Sequence, residues 1–359
     1  MTGAEQAGEQ MKYQRICDIR PVFARGPVPG IFRAMLRTRT KGKDRSALVS
    51  ACLVAVPLLW AAEASSDSKV PPAWVRMRPS AELQIERSKE ERGVNPCMTE
   101  DPGFPGYSTW DRSPAMGQMI VPDSLTKSSA TFDVVFHFHG HEAARKEWVR
   151  KVDRVVLVGI DLGNGSRAYQ EPFAVPGVFE SLVQSVERGV RKRLDNPNIR
   201  VGKIGLTAWS AGYGAVVKIL GTSYGQKRVD AVALFDGLHT SYVNGQLDTA
   251  RLAPVVSFAE RAARGERAFY MSHSSISPPG YASTTETGNY LIWRLGGEPE
   301  KPQAPRSFPL GLELISTYSR GEFTVRGFRG GGKLDHCAHF GILGDVVRGR
   351  FLPRWRSLS

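Results

Sequence analysis

Past residue 64 the sequence has no apolar run of membrane-spanning length, no C-x-x-C pair and no internal repeat. These absences leave that part without a candidate helical span, without a thiol-based metal or redox motif, and without a solenoid or propeller array. Cysteine is scarce: of four in 359 residues, Cys17 and Cys52 lie among the first 64. Acidic residues are outnumbered, 35 against 48 basic, for a formal charge of +13. Charge alone would admit nucleic acid or an anionic envelope polymer as a partner. Ten of the basic and five of the acidic residues precede residue 65, so the surplus is partly local and no nucleic acid is expected. With 41% hydrophobic and 23% charged residues the chain is neither disordered nor collagen-like.

What is present begins with an export pattern. Arg37, Arg39, Lys41, Lys43 and Arg45 precede the apolar run ALVSACLVAVPLLWAA, and Ala62-Glu63-Ala64 supplies a small-x-small cleavage site. Residues 35–64 are expected to be a signal peptide, with a mature chain from Ser65 that is periplasmic or secreted and has no stable membrane span. A retained run would instead anchor the chain. Val49-Ser50-Ala51-Cys52 resembles a lipobox, but most of the apolar run follows Cys52 rather than preceding it. Residues 1–34 form an upstream extension, expected to be disordered. Mature protein would keep Cys97 and Cys337, which an oxidising compartment would permit to pair; two separate thiols are the alternative.

Residues 65–131, punctuated by PPAW, NPC, DPGFPGY and VPDS, are expected to form an irregular leading arm. From residue 132 to 359 apolar strand-length runs alternate with helical stretches. FDVVFHFHG, RVVLVGIDLG, KIGLTAWS, DAVALFDG, RAFYMSHS and EFTVRGFRG are the strands. GVFESLVQSVERGVRKRL spaces Phe179, Leu182, Val183 and Val186 at helical intervals. The alternation predicts one α/β domain with a mostly parallel central sheet and helices on both faces.

The segment KIGLTAWSAGYGAVVKIL places Ser210 in a turn between a buried strand and a small-residue helix, with Ala208 two residues before it and Gly212 two after. This A-x-S-x-G turn resembles the nucleophile elbow of the α/β-hydrolase superfamily, with alanine replacing the usual first glycine. The resemblance implies a serine hydrolase that cleaves an ester or amide, in a small molecule or a polymer, through an acyl-enzyme and without a cofactor. Its catalytic set would be Ser210, Asp236 at the end of the next strand, and His339 where the last strand's loop enters the closing helix. His336 is the alternative histidine, and Asp335 or Glu286 the alternative acid. His137-Phe138-His139-Gly140-His141 resembles the superfamily's HG turn, so Gly140, His141 and Ala211 would supply the oxyanion N–H donors.

Two other readings compete. His137-x-His139 puts two imidazoles on one strand face, and with Glu142 it resembles the ligand pair of zinc carboxypeptidases, His273 being a candidate third ligand. HEAAR lacks the second histidine of H-E-x-x-H, and zinc leaves the Ser210 turn unexplained, so no metal is expected. A non-catalytic protein that binds an envelope polymer on the same fold is the other alternative. Asp161-Leu162-Gly163-Asn164-Gly165-Ser166 is either a plain loop or a substrate contact, His239 could line the cleft, Thr284 or Thr285 would open a capped helix, and VVRGRFLPRWRSLS would be a solvated tail.

Overall fold

The computed structural model describes residues 70–304 and 306–357. The upstream extension, the signal peptide with its cleavage site, Cys17 and Cys52 lie outside the described residues.

The strands in chain order are β1 (Gln118–Ile120), β2 (Thr131–Phe138), β3 (Val155–Ile160), β4 (Arg200–Trp209), β5 (Val229–Phe235), β6 (Tyr242–Val243), β7 (Gln246–Leu247), β8 (Ala268–His273), β9 (Ser307–Phe308), β10 (Leu312–Arg320) and β11 (Phe323–Phe328). Nine of them form one sheet in the order β1-β3-β2-β4-β5-β8-β11-β10-β9, with β6 and β7 pairing separately. The six strands from β3 to β11 are parallel, while β1, β10 and β9 pair antiparallel at the two edges. All six expected strands are therefore present and adjacent. Every residue of β3, β5 and β8 is buried, the pattern of strands covered on both faces. Val134, Phe136 and Phe138 of β2 enter one core layer with Leu182, Val183 and Val186 of helix Val178–Leu194, and Val135 enters the layer on the opposite face.

Two segments differ from expectation. The leading arm contributes β1 to the sheet, a strand of three residues that is too short for alternation to reveal. The expected solvated tail is helical: the turns over 347–357 bury Phe351, Leu352 and Trp355, and Asp230 accepts hydrogen bonds from Arg354 and from the Trp355 indole N–H. Its basic residues mask an apolar stripe three to four residues apart. Among the described residues no helix is long and apolar enough to cross a membrane.

The chain runs from β2 outward to β3 and returns to β4 on the other side of β2, so the carboxyl ends of β2 and β4 flank a topological switch point, where open α/β sheets place their ligand crevices. The arm closes over this edge of the fold. The Gly330 N–H donates to the Leu83 carbonyl at 2.9 Å and the Leu334 N–H to Glu86 at 2.8 Å; Arg92 forms a buried ion pair with Asp335; and a disulfide joins Cys97 to Cys337. All four contacts grip residues 330–337.

The bridge spans 240 residues, a loop for which the chain-entropy account assigns about 5 kcal/mol before any native strain is deducted. Replacing both cysteines by serine should lower the urea midpoint well below that of the oxidised parent. Equal midpoints would show that the bridge adds nothing to stability.

Candidate active site

β4 ends in the sequence Ala208-Trp209-Ser210, and the chain turns at once into a short 3-10 turn and the helix Tyr213–Leu220. Ser210 takes φ 48°, a strained value for a residue with a Cβ. The turn is this tight because Gly212 passes over β2: a Cβ there would lie 2.0 Å from the Phe138 carbonyl oxygen. Ser210 is half-buried and, with Ala211, forms part of the wall of a cleft of about 900 Å³ that His139, Asn164, Tyr213 and His239 also line. The Asn164 loop and His239 thus reach the cleft.

Asp236, with φ 44°, follows β5 and is 2% exposed. Its carboxylate accepts three hydrogen bonds: from the Ser274 N–H at 2.8 Å, from the Thr284 hydroxyl at 2.8 Å and from His336 Nδ1 at 2.6 Å. Burial alone would raise its pKa. The neighbouring His339 and His336 imidazoles and the Ser274 N–H reverse that and hold it well below the ordinary carboxylate range. Because an ionised carboxylate only accepts, the His336 proton sits on Nδ1 and leaves Nε2 as the basic nitrogen.

This corrects the expected histidine. His339 is fully buried, with Nδ1 hydrogen-bonded to Ser272 at 2.8 Å and the ring edge-on to Phe328. Burial lowers its pKa to about 4, so it is neutral at pH 7. The closing helix begins earlier than expected, at Lys333, so the residue at the mouth of the sheet is His336, with its side chain 22% exposed, and the next turn points inward. Trp209 fixes this end of the helix: its indole N–H donates to the His336 carbonyl at 3.0 Å and its ring lies 4.4 Å from the His336 ring. The alternative acids are engaged elsewhere. Asp335 pairs with Arg92, and Glu286 closes the capping box of helix Thr284–Arg294 and accepts from Tyr242 at 2.6 Å. No hydrogen bond joins Ser210 to His336 in this structure; such nucleophile–base contacts are often looser before substrate binds.

Two of the expected oxyanion donors, Gly140 and His141, are corrected as well. The Gly140 N–H donates to Asp161 at 2.6 Å and the His141 N–H to the same carboxylate at 3.3 Å, while the His139 N–H donates to the Ile160 carbonyl at 3.0 Å. Asp161 ends the strand beside β2 and is therefore placed to cap this turn; its pairing with His141 could not be read from residues twenty apart. What the turn turns toward the cleft is the His139 ring, stacked on Trp209 at 5.2 Å. The Tyr169 hydroxyl is buried, accepts from the Leu162 N–H at 3.2 Å and among the described residues has no acceptor for its own proton but His139 Nδ1, 2.8 Å away, which leaves the His139 proton on Nε2. Burial lowers the His139 pKa and keeps the ring neutral.

The zinc set is not brought together. His137 Nε2 donates to the His139 carbonyl at 2.8 Å and Nδ1 accepts from Thr207 at 2.9 Å, which occupies both nitrogens and holds the His139 backbone at φ 73°. Glu142 binds the Trp110 indole and Arg145, and His273 is buried against Thr285. Among the described residues no three His, Cys, Asp or Glu side chains converge as metal ligands.

Sheet order, switch point and strained serine turn define an α/β-hydrolase-like fold. Neither a family model nor a curated protein matches the sequence. Among solved structures, a truncated carbohydrate esterase from gut microbiota is 12% identical, with a TM-score of 0.40 over 72% of this chain and 100% of its own. An esterase from the Planctomycetes species Thermogutta terrifontis is 15% identical, with a TM-score of 0.34 over 56% of this chain and 82% of its own. The acylaminoacyl peptidase of Pyrococcus horikoshii is 12% identical, with a TM-score of 0.37 over 70% of this chain and 44% of its own. Likenesses this remote assign no substrate to this chain.

His137 and His339, both buried and both lowered to about 4, titrate near 6.5 once unfolded. The unfolded chain therefore binds more protons between those values, and stability is lost as pH falls from 6.5 toward 4, by on the order of 3 kcal/mol per histidine. Urea midpoints should drop steadily from pH 7 to pH 5, with a shallower slope in His339→Phe; a flat profile in the parent would contradict the buried neutral assignment.

Proposed function

We propose that the protein is an exported serine hydrolase that cleaves esters or amides through an acyl-enzyme. The observation that carries this reading is the hydrogen bond of buried Asp236 to His336, whose ring lies 4.4 Å from Trp209, the residue before Ser210 on its strained turn; Ser210 and Asp236 follow the carboxyl ends of two adjacent parallel strands. In the reaction, His336 Nε2 takes the Ser210 proton as Oγ adds to the substrate carbonyl, and Asp236 holds the resulting imidazolium. The oxyanion forms against the Ala211 N–H and the His139 Nε2–H, the side-chain donor substituting for backbone donors that Asp161 occupies. Collapse of the intermediate expels the alcohol or amine, which takes its proton from His336. Water, activated by the same nitrogen, then releases the acyl group from Ser210.

Asn164, Ser166, Thr240, Ser241 and Arg251 give the cleft many hydrogen-bonding groups, which supports a polar rather than a long-chain lipid substrate. Export rests on the charged and apolar pattern of residues 35–64, and the Cys97–Cys337 bridge is compatible with an oxidising destination.

A fluorophosphonate should label the protein once, at Ser210. On a small activated ester, Ser210→Ala and His336→Ala should each lower kcat roughly 10⁴-fold or more, and Asp236→Asn somewhat less. The Ser210→Ala, His336→Ala double variant should be no worse than Ser210→Ala. His339→Gln should retain most activity. Full activity in Ser210→Ala would end the serine-hydrolase reading, whereas loss in His339→Gln with retention in His336→Ala would overturn only the histidine assignment.

His139→Phe preserves the stack on Trp209 but removes the N–H. It should lower kcat by about 10²-fold to 10³-fold with little change in KM. Undiminished kcat would return the oxyanion role to the backbone of the turn.

A further inference from the structure

A second cavity, of about 680 Å³, lies between the β9–β11 edge of the sheet and the C-terminal helical turns, and Arg306, Phe308, Glu322, Arg326, Asp345 and Arg350 are among its walls. Three guanidinium groups converge there on two aromatic rings. Arg306 and Arg326 lie over the Phe308 ring at 5.0 and 5.3 Å, and Arg326 and Arg350 over the Tyr270 ring at 5.9 and 5.7 Å. Arg326 is shared by both rings, so the three cations form one cluster.

Among the described residues none of these three arginines forms an ion pair. The carboxylates nearby are directed elsewhere or held back. Asp345 pairs with Lys151 at 2.7 Å and with Arg348 at 3.5 Å, and Arg354, also in the cavity wall, is committed to Asp230 at 2.9 Å. Glu322 favours the charge on Arg350 without coming within ion-pair distance. Burial and then the neighbouring Arg326 lower the Arg350 pKa, outweighing the opposite effect of Tyr270 and Glu322. The Tyr270 hydroxyl beneath the two guanidinium groups is buried without a hydrogen bond of normal geometry; burial pushes its pKa up to about 12, so it keeps its proton. The backbone is unusual at the same place. Arg350 belongs to a π-helical turn, Val347–Phe351, a local widening found disproportionately at functional sites, which buries Phe351 and leaves Arg350 facing the cavity.

Aromatic faces partly offset the repulsion among like charges, but apart from the Tyr270 hydroxyl near Arg326 they offer no hydrogen-bond acceptor to the N–H donors of the three guanidinium groups. A tetrahedral oxyanion supplies both charge and acceptors, and planar guanidinium groups bind it as two-pronged donors. We propose that this cavity binds a phosphate dianion, free or as the monoester of a small molecule, through Arg326 and Arg350, with the more exposed Arg306 closing over it. The site is separate from the Ser210 cleft and does not depend on the hydrolase reading.

The test is calorimetric titration of the folded chain with inorganic phosphate and with glycerol 3-phosphate, at ionic strength matched by chloride. One equivalent of either ligand should bind, and Arg326→Gln and Arg350→Gln should each weaken binding about tenfold or more, as loss of a charge-assisted fork requires. Arg264→Gln, at an exposed pair with Glu266, should change nothing, and fluorophosphonate labelling should be the same in all variants. Arg326→Lys keeps the charge and the stem but loses the fork, and should weaken binding by an intermediate factor; it serves if the glutamine variant misfolds. Binding of inorganic phosphate alone identifies the free ion, and binding of both identifies a monoester site. Absence of binding by both ligands, or binding unaffected by Arg326→Gln, Arg326→Lys and Arg350→Gln, overturns the proposal.

Discussion

A carboxylate buried to 2% exposure costs several kcal/mol unless its lone pairs are satisfied, and Asp236 satisfies them from three separate parts of the chain. Ser274 follows β8, Thr284 opens the helix 284–294, and His336 lies in the helix after β11. Each donor is held in place by needing the same acceptor. The charge therefore organises the carboxyl ends of three strands, and the imidazole orientation that the proposed chemistry requires is a by-product of burying it.

Half of the eight described non-glycine residues with positive φ belong to the loops around that charge. His139, Ser210, Asp236 and Leu238 all have positive φ, and all lie within the loops that follow β2, β4 and β5. Residues with a Cβ persist in such conformations only where the surroundings over-determine them. Here the determinants are identifiable: His137 holds the His139 carbonyl, Asp161 caps the Gly140–His141 amides, and Gly237 packs against the Ser210 backbone so closely that a Cβ would meet the Ser210 oxygen at 2.5 Å. The leading arm does the same for the histidine segment, since Arg92 and Cys97 fix Asp335 and Cys337 on either side of His336. The leading arm thus has a mechanical role, carried by the four long-range contacts that grip residues 330–337.

Local pattern determined much of this. Strand-length apolar runs and a 3.6-residue helical spacing are short-range properties, and burial on both faces leaves them visible, which is why six strands, the helix 178–194 and the Ser210 turn were legible from residues alone. The serine turn was legible for a steric reason, because only small residues fit where strand and helix backbones nearly touch. Asp236 was legible because it ends a strand. Tertiary contacts decided the rest. His336 and His339 are three residues apart and chemically identical; which one meets Asp236 depends on where the closing helix starts, and there Asp335 caps the Gly332 N–H while paired with Arg92, 243 residues earlier in the chain. What the HG turn presents was likewise decided at a distance, because Asp161, from beside a neighbouring strand, occupies the Gly140 and His141 amides while the His139 ring lines the cleft. Sequence spacing reports what a residue is beside along the chain, whereas a hydrogen bond between strands reports what folding brought next to it.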